Sequence, residues 1–159
     1  KIMVLTGTPA ANAAADATLV IDLETRIARA SKARADLVRL RGNYNPVPTK
    51  DFAKKYRNLQ LAAFLKAQGV TAEQVSMADP ALFAQLDKLA SSLKPAQWKA
   101  YLRFQVGNAM APYLSKSWRE ADHEFRGRLL RGEMDPAPRA QQVLDAINAS
   151  AGGMMAQAY

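Results

Sequence analysis

Apolar and polar positions alternate with a helical period along almost the whole chain. The strongest stretch covers residues 98–130, two helical patterns joined at Ala111-Pro112. In the second pattern Leu114, Trp118, Ala121, Phe125 and Leu129 recur at spacings of three and four, which predicts one buried stripe on a helix. Lys116, Arg119, Glu120, His123 and Arg126 fall on the other face, which reads as solvated. In the first pattern Trp98, Leu102, Gln105 and Ala109 share a face flanked by Tyr101. Large side chains such as the two tryptophans dominate the energetics of any core they enter.

Upstream, Thr8 with Pro9 behind it is a helix start, because proline at the first helical position gives up an N–H that has no intrahelical partner. The helix is expected to run to about Ala33 and to bury Leu19, Val20, Leu23, Ile27 and Ala30. Gly42, Asn43, Asn45, Pro46 and Pro48 make residues 36–48 a break. Thr49 is expected to cap a short helix through Arg57 that carries Phe52 and Tyr56 inward. A helix over residues 59–67 would place Leu61, Phe64 and Leu65 inward and stop at Gly69. Residues 70–78 are the one place where a short strand is credible, near 74–77, with a loop as the alternative reading. Asp79-Pro80 opens a helix that buries Leu82, Phe83, Leu86 and Leu89 and ends near Ser92. After a loop over residues 132–138, a last helix buries Val143, Leu144 and Ile147 and passes through Gly152-Gly153 to Met154, Met155 and Tyr159. The pattern therefore predicts an all-α, bundle-like domain of about six to seven helices with at most one short strand, filling residues 1–159 as a single domain or a fragment of one.

Composition adds limits. A chain of 159 residues fits one domain and can bury a sizeable core. The absence of cysteine excludes disulfides and thiolate metal sites within it. No segment reaches the ~18 continuous apolar residues of a membrane span, and the opening KIMVLTG is too short in its apolar run for a signal peptide. That opening and the uncapped close at Tyr159 both look like cut helix ends. Such a fragment would expose apolar surface at residues 2–5 and 154–159 and self-associate through them.

The net charge of +8 is concentrated. Residues 26–57 hold Arg26, Arg29, Lys32, Arg34, Arg39, Arg41, Lys50, Lys54, Lys55 and Arg57 against Asp36 and Asp51. No dense basic run or reader motif accompanies them, so a solvated surface or a face meeting an acidic partner is favoured over a nucleic-acid groove.

Candidate chemistry is sparse. His123-Glu124-Phe125-Arg126-Gly127 begins like the zinc-protease motif H-E-x-x-H, but its fifth position is Gly127 and His123 is the chain's one histidine. No serine sits in a strand-turn-helix elbow and no glycine-rich phosphate loop occurs. Glu120 and Glu124, one turn apart, are flanked by Arg119 and Arg126 and read as surface ion pairs. No catalytic or metal-ligating residue is assigned, and substrate-binding residues stay unassigned.

Taken together, stretches spread along the chain resemble the neprilysin-like zinc metallopeptidases. They include Leu23-Glu24-Thr25-Arg26-Ile27-Ala28-Arg29-Ala30, Tyr44-Asn45-Pro46, Ala63-Phe64-Leu65, Trp98-Lys99-Ala100-Tyr101-Leu102-Arg103 and Tyr113-Leu114-Ser115-Lys116. Phe125, Gly127, Leu129, Gly132, Pro138-Arg139 and residues 152–159 follow in the family's order. The resemblance implies a helical, non-catalytic roof upstream of the zinc-binding domain, gating peptide substrates and enclosing them over the catalytic cleft. In the parent enzyme the chemistry would come from zinc, with the catalytic domain and peptides as partners. Ala140-Gln141-Gln142-Val143 replaces the tryptophan and cysteine usual after the Pro-Arg pair, which the resemblance reads as a bacterial-type member without its animal relatives' disulfides. The compartment stays open, with an exported parent, periplasmic or extracellular, among the readings. The alternative is an independent basic helical binding module for an acidic or nucleic-acid partner.

Overall fold

The computed structural model describes residues 1–158, and the expected helix end at Tyr159 lies outside the described residues. Helix dominates: α1 (Ile2–Leu5), α2 (Ala10–Ala30), α3 (Arg34–Leu37), α4 (Leu40–Asn43), α5 (Phe52–Lys55), α6 (Leu61–Ala67), α7 (Pro80–Ser92), α8 (Pro95–Met110), α9 (Lys116–Asp122) and α10 (Arg139–Ala158). A π-helix, His123–Leu130, continues α9. Strands β1 (Pro46–Pro48) and β2 (Gln74–Ser76) pair antiparallel. The mostly-α class expected from the sequence is the observed one. The chain divides into two compact units, one of residues Lys1–Ala14 and Leu102–Tyr159, the other of Ala15–Tyr101.

In the Ala15–Tyr101 unit the strand expected over 74–77 finds a partner in the stretch read as a break. Val47 pairs with Val75, flanked by Pro46 with Ser76 and Pro48 with Gln74. Met77 N–H donates to the Asn45 carbonyl at 3.0 Å, and Thr49 N–H to the Glu73 carbonyl at 2.9 Å. Hydrogen-bonded positions are therefore the odd ones, and both prolines fall where the ladder needs no N–H. That is how a strand can hold two prolines. Thr49 is not a helix cap; its hydroxyl donates to the carbonyls of Ala72 and Glu73.

Above this ladder Val47, Phe52, Tyr56 and Met77 form a buried cluster, with Leu61, Leu65, Val75 and Phe83 packed against it. Phe52 and Tyr56, one turn apart, sit 5.6 Å between ring centres, and Phe83 of α7 meets Tyr56 edge-on at 6.2 Å. Val20 and Leu23 of α2 and Leu89 of α7 are also buried. Gly69 ends α6 with φ of +70°. There Val70 N–H reaches the Leu65 carbonyl and Gly69 N–H the Lys66 carbonyl, a closed helix terminus. Phe64, expected inward, is exposed.

In the other unit α1 packs on α9 and buries Met3. Of the apolar end expected at residues 2–5, Val4 is exposed, but Met3 is buried and Ile2 and Leu5 are half-buried, so the end is only partly bare. Small residues do the close packing: Ala111 and Ala121 are buried, and a Cβ on Gly107 would lie 2.5 Å from Thr6 Cγ2 and 3.1 Å from the Trp118 ring. The face of α8 read as Trp98, Leu102, Gln105 and Ala109 is therefore not the buried one; Leu102 and Ala109 are exposed while Ala100 and Gly107 are buried. The stripe of α9 fails in the same way. Leu114 and Trp118 are half-buried and Ala121 is buried, but Phe125 and Leu129 are 55% and 72% exposed. The π-helix closes its hydrogen bonds over five residues instead of four, so spacings of three and four no longer return to one side. Val143, Leu144 and Ile147 of α10 are exposed as well, against expectation. No helix of the described residues is long and apolar enough to cross a membrane.

Candidate functional site

The π-helix and α10 of the Lys1–Ala14 and Leu102–Tyr159 unit enclose a cleft of about 810 Å³. That volume lies within the roughly 300–1,000 Å³ of ligand pockets. Pro112, Tyr113, Met134, Pro136, Ala146 and Ala149 give it apolar walls, and ten ionisable side chains border it, from Lys116 to Asp145. The turn that follows the π-helix is closed by Gln142 Nε2 donating to the Ala137 carbonyl at 2.7 Å.

Most of the charge at the cleft is already paired. Lys116 meets Glu120 at 3.6 Å one helical turn away. Asp122 is ion-paired with Arg126, and Glu124 with Lys1. Arg131 holds Glu133 through two bonds, Nε to Oε1 at 2.6 Å and Nη2 to Oε2 at 3.0 Å. This fork keeps the Glu133 carboxyl below its usual range and raises the Arg131 guanidinium further. The hydrogen bond from the Lys1 ammonium, helped by its charge, does the same for Glu124. Arg119 donates to the Leu114 carbonyl.

Two groups keep unspent bonding capacity. The Arg128 guanidinium makes no hydrogen bond or ion pair among the described residues, and His123 Nε2 is buried without a partner. The solvated face expected for His123 is thus a correction, since the ring lies over Gly127. A Cβ on Gly127 would fall 2.2 Å from His123 Nδ1. Glycine at the fifth motif position is what lets the imidazole fold back onto the helix. A histidine there would collide with His123 before the two could share a metal.

Zinc, the metal the sequence resemblance implies, does not fit these residues. A zinc site needs converging nitrogen, sulfur or carboxylate ligands, and no group of three or more such side chains occurs among the described residues. Glu120, Asp122, Glu124 and Glu133 of the cleft are instead tied to cations, Asp145 accepts from Gln141 Nε2 at 2.7 Å, and His123 Nε2 is buried without a partner. The arrangement can hold a ligand by charge and apolar contact; it presents no activated nucleophile with a base in reach.

A second polar constellation, missed in the sequence, lies in the Ala15–Tyr101 unit. Buried Asp79 accepts from Leu82 N–H and from Lys32 N–H, each at 3.0 Å. The Leu82 N–H is the main reason its carboxyl titrates below the ordinary 3.8; burial opposes it and the Lys32 N–H and charge assist. The Lys32 ammonium in turn is held by the carbonyls of Ala78 and Gly42 at 2.6 and 2.9 Å and by Asn43 Oδ1 at 3.2 Å. The turn formers Gly42 and Asn43 were the available signal, but nothing local joins them to Lys32 and Ala78.

Fold and cleft define a mostly helical, ion-paired segment with no metal-ligand cluster among the described residues. The family model described as Peptidase family M13 matches residues 1–159, and the chain belongs to that family. The neprilysin-like resemblance in the sequence is thereby shown over the whole chain. Among solved structures, the Mycobacterium tuberculosis zinc metalloprotease ZMP1 in its open state is similar at 20% identity and a TM-score of 0.81, over 91% of this chain and 23% of that chain. The same enzyme in complex with inhibitor gives 20% and 0.79, over 87% and 22%. At this identity the likeness speaks for the fold. The chain spans under a quarter of the length of the solved chains it matches. No curated protein matches.

Proposed function

We propose that residues 1–159 serve within a longer zinc metallopeptidase as part of a non-catalytic helical roof, which gates peptide substrates and encloses them over a catalytic domain. The observation that carries this reading is the family match along the whole chain. The similarity to under a quarter of a zinc metalloprotease supports it. Zinc and its ligands belong, on this reading, to the rest of the enzyme, with the catalytic domain of the same polypeptide and peptides as the partners. Within the chain, a roof role asks for packed helical units, and the buried Phe52 cluster and the close packing at Gly107 each belong to one of them.

The test is size selectivity in the full-length enzyme. Wild type should cleave short peptides and spare unfolded proteins of domain size. Loosening the roof with Phe52→Ala should admit the larger substrates while short-peptide turnover is retained. Unchanged size selectivity in an enzyme with a demonstrably loosened roof would remove the gating role.

A further inference from the structure

Residues 34–44, a loop built on the one-turn helices α3 and α4, leave large apolar side chains at the surface. Asn43 Nδ2 donates to the Leu37 carbonyl at 2.5 Å, and the flanking Asn45 Nδ2 and Lys32 ammonium donate to the Met77 and Gly42 carbonyls at 3.0 and 2.9 Å. Leu37, Val38 and Tyr44 are 46%, 74% and 68% exposed. Side chains thus satisfy three backbone carbonyls in and beside the loop, while Leu37, Val38 and Tyr44 have no cover among the described residues. The guanidiniums of Arg34 and Arg41 make no hydrogen bond or ion pair among the described residues, and Arg39 has only Asp36 at 3.7 Å. Exposed apolar side chains interspersed along the loop with cations have the composition of an interface.

We propose that this loop is a docking surface for an acidic, apolar-centred protein surface supplied by the remainder of a full-length chain of the family. Charge selects the partner's sign. A second copy of the same face is repelled, since residues 26–57 carry ten bases against two acids. Length selects the source: the matched solved chains contain more than three times the polypeptide described here. The proposal stands on the loop itself and does not require the gating role.

Residues 1–159 contain no cysteine, so a thiol at Val38 is a specific reporter. In the full-length protein, maleimide labelling of Val38→Cys is compared, peptide by peptide in a mass spectrometer, with Lys66→Cys on the exposed face of α6. A covered Val38→Cys should label at least about tenfold more slowly, because a covered site reacts only through local opening. Adding Arg41→Glu should restore most of the rate by setting like charges against each other. Equal labelling at the two sites overturns the proposal. So does protection that arises only on adding phosphatidylserine vesicles, which would make a lipid surface the partner. Size selectivity toward peptides is a separate measurement, so the docking and gating readings can fail independently.

Discussion

The Phe52–Tyr56 cluster and the run from α9 through the π-helix begin from similar sequence patterns and end differently. Both place large apolar residues a turn apart on a helix. Around Phe52 the turn is closed from several sides by β1, β2, α6 and Phe83 of α7, and the rings are buried. Beyond Ala121 the same spacing runs into a π-helix, and Phe125 and Leu129 emerge into solvent. The lesson is that helical spacing predicts a shared face only while the helix keeps one pitch. Whether that face is buried depends on elements distant in sequence.

The largest expected break in that comparison is Phe52→Ala. Truncating a ring held in a closed cluster should cost about 3–5 kcal/mol in chemical denaturation, whereas Phe125→Ala should cost no more than about 0.5 kcal/mol, as at other exposed sites. Equal losses would mean that Phe125 is buried after all.

Gly107 offers the next effect. Gly107→Ala puts a methyl group into Thr6 Cγ2 and the Trp118 ring, and overpacking of this kind costs about 1–3 kcal/mol. Thr6→Ser removes the Cγ2 atom and should recover part of the loss, so the double variant should be less destabilised than the sum of the singles. Additive losses would show that Thr6 does not rest on Gly107 as described.

Asp79→Ala should cost about 1–2 kcal/mol through loss of its bond to Leu82 N–H at the start of α7. The pH dependence has a definite sign. Asp79 has a folded-state pKa below its ordinary 3.8, so its contribution is complete above that value and is lost as pH falls through the folded pKa. Between about pH 7 and about pH 3 the wild type should lose more stability than Asp79→Asn, which cannot titrate. A parallel loss in both proteins would assign the acid sensitivity to other carboxylates.

The smallest effect tests the π-helix itself. Gly127→Ala sets a methyl group against the His123 ring, yet alanine gains roughly 1 kcal/mol of helix propensity over glycine. In the wild type the clash should outweigh the gain, and in a His123→Ala background the same change should become stabilising. Stabilisation in both backgrounds would place the imidazole elsewhere.

Local chemistry was enough for much of the fold. Asp79-Pro80 set the start of α7, Gly69 set the end of α6, Ala111-Pro112 set the joint after α8, and the alternation at Val75 set a strand, because each depends on bonds between near neighbours. The identities at His123 and Gly127 also separated this helix from a zinc motif, since a ligand set is a matter of residue type. Tertiary structure decided the rest. It chose small residues, Ala100, Gly107, Ala111 and Ala121, over large ones as the buried face of α8 and α9, because close backbone approach leaves no room for leucine. It paired a proline-bearing stretch with β2, through a register that spares both prolines a donor. It drew Lys32 onto the carbonyls of Gly42 and Ala78 and closed a cleft between the π-helix and α10. Those outcomes turn on partners tens of residues apart, where no local propensity reaches and only packing and hydrogen-bond satisfaction choose.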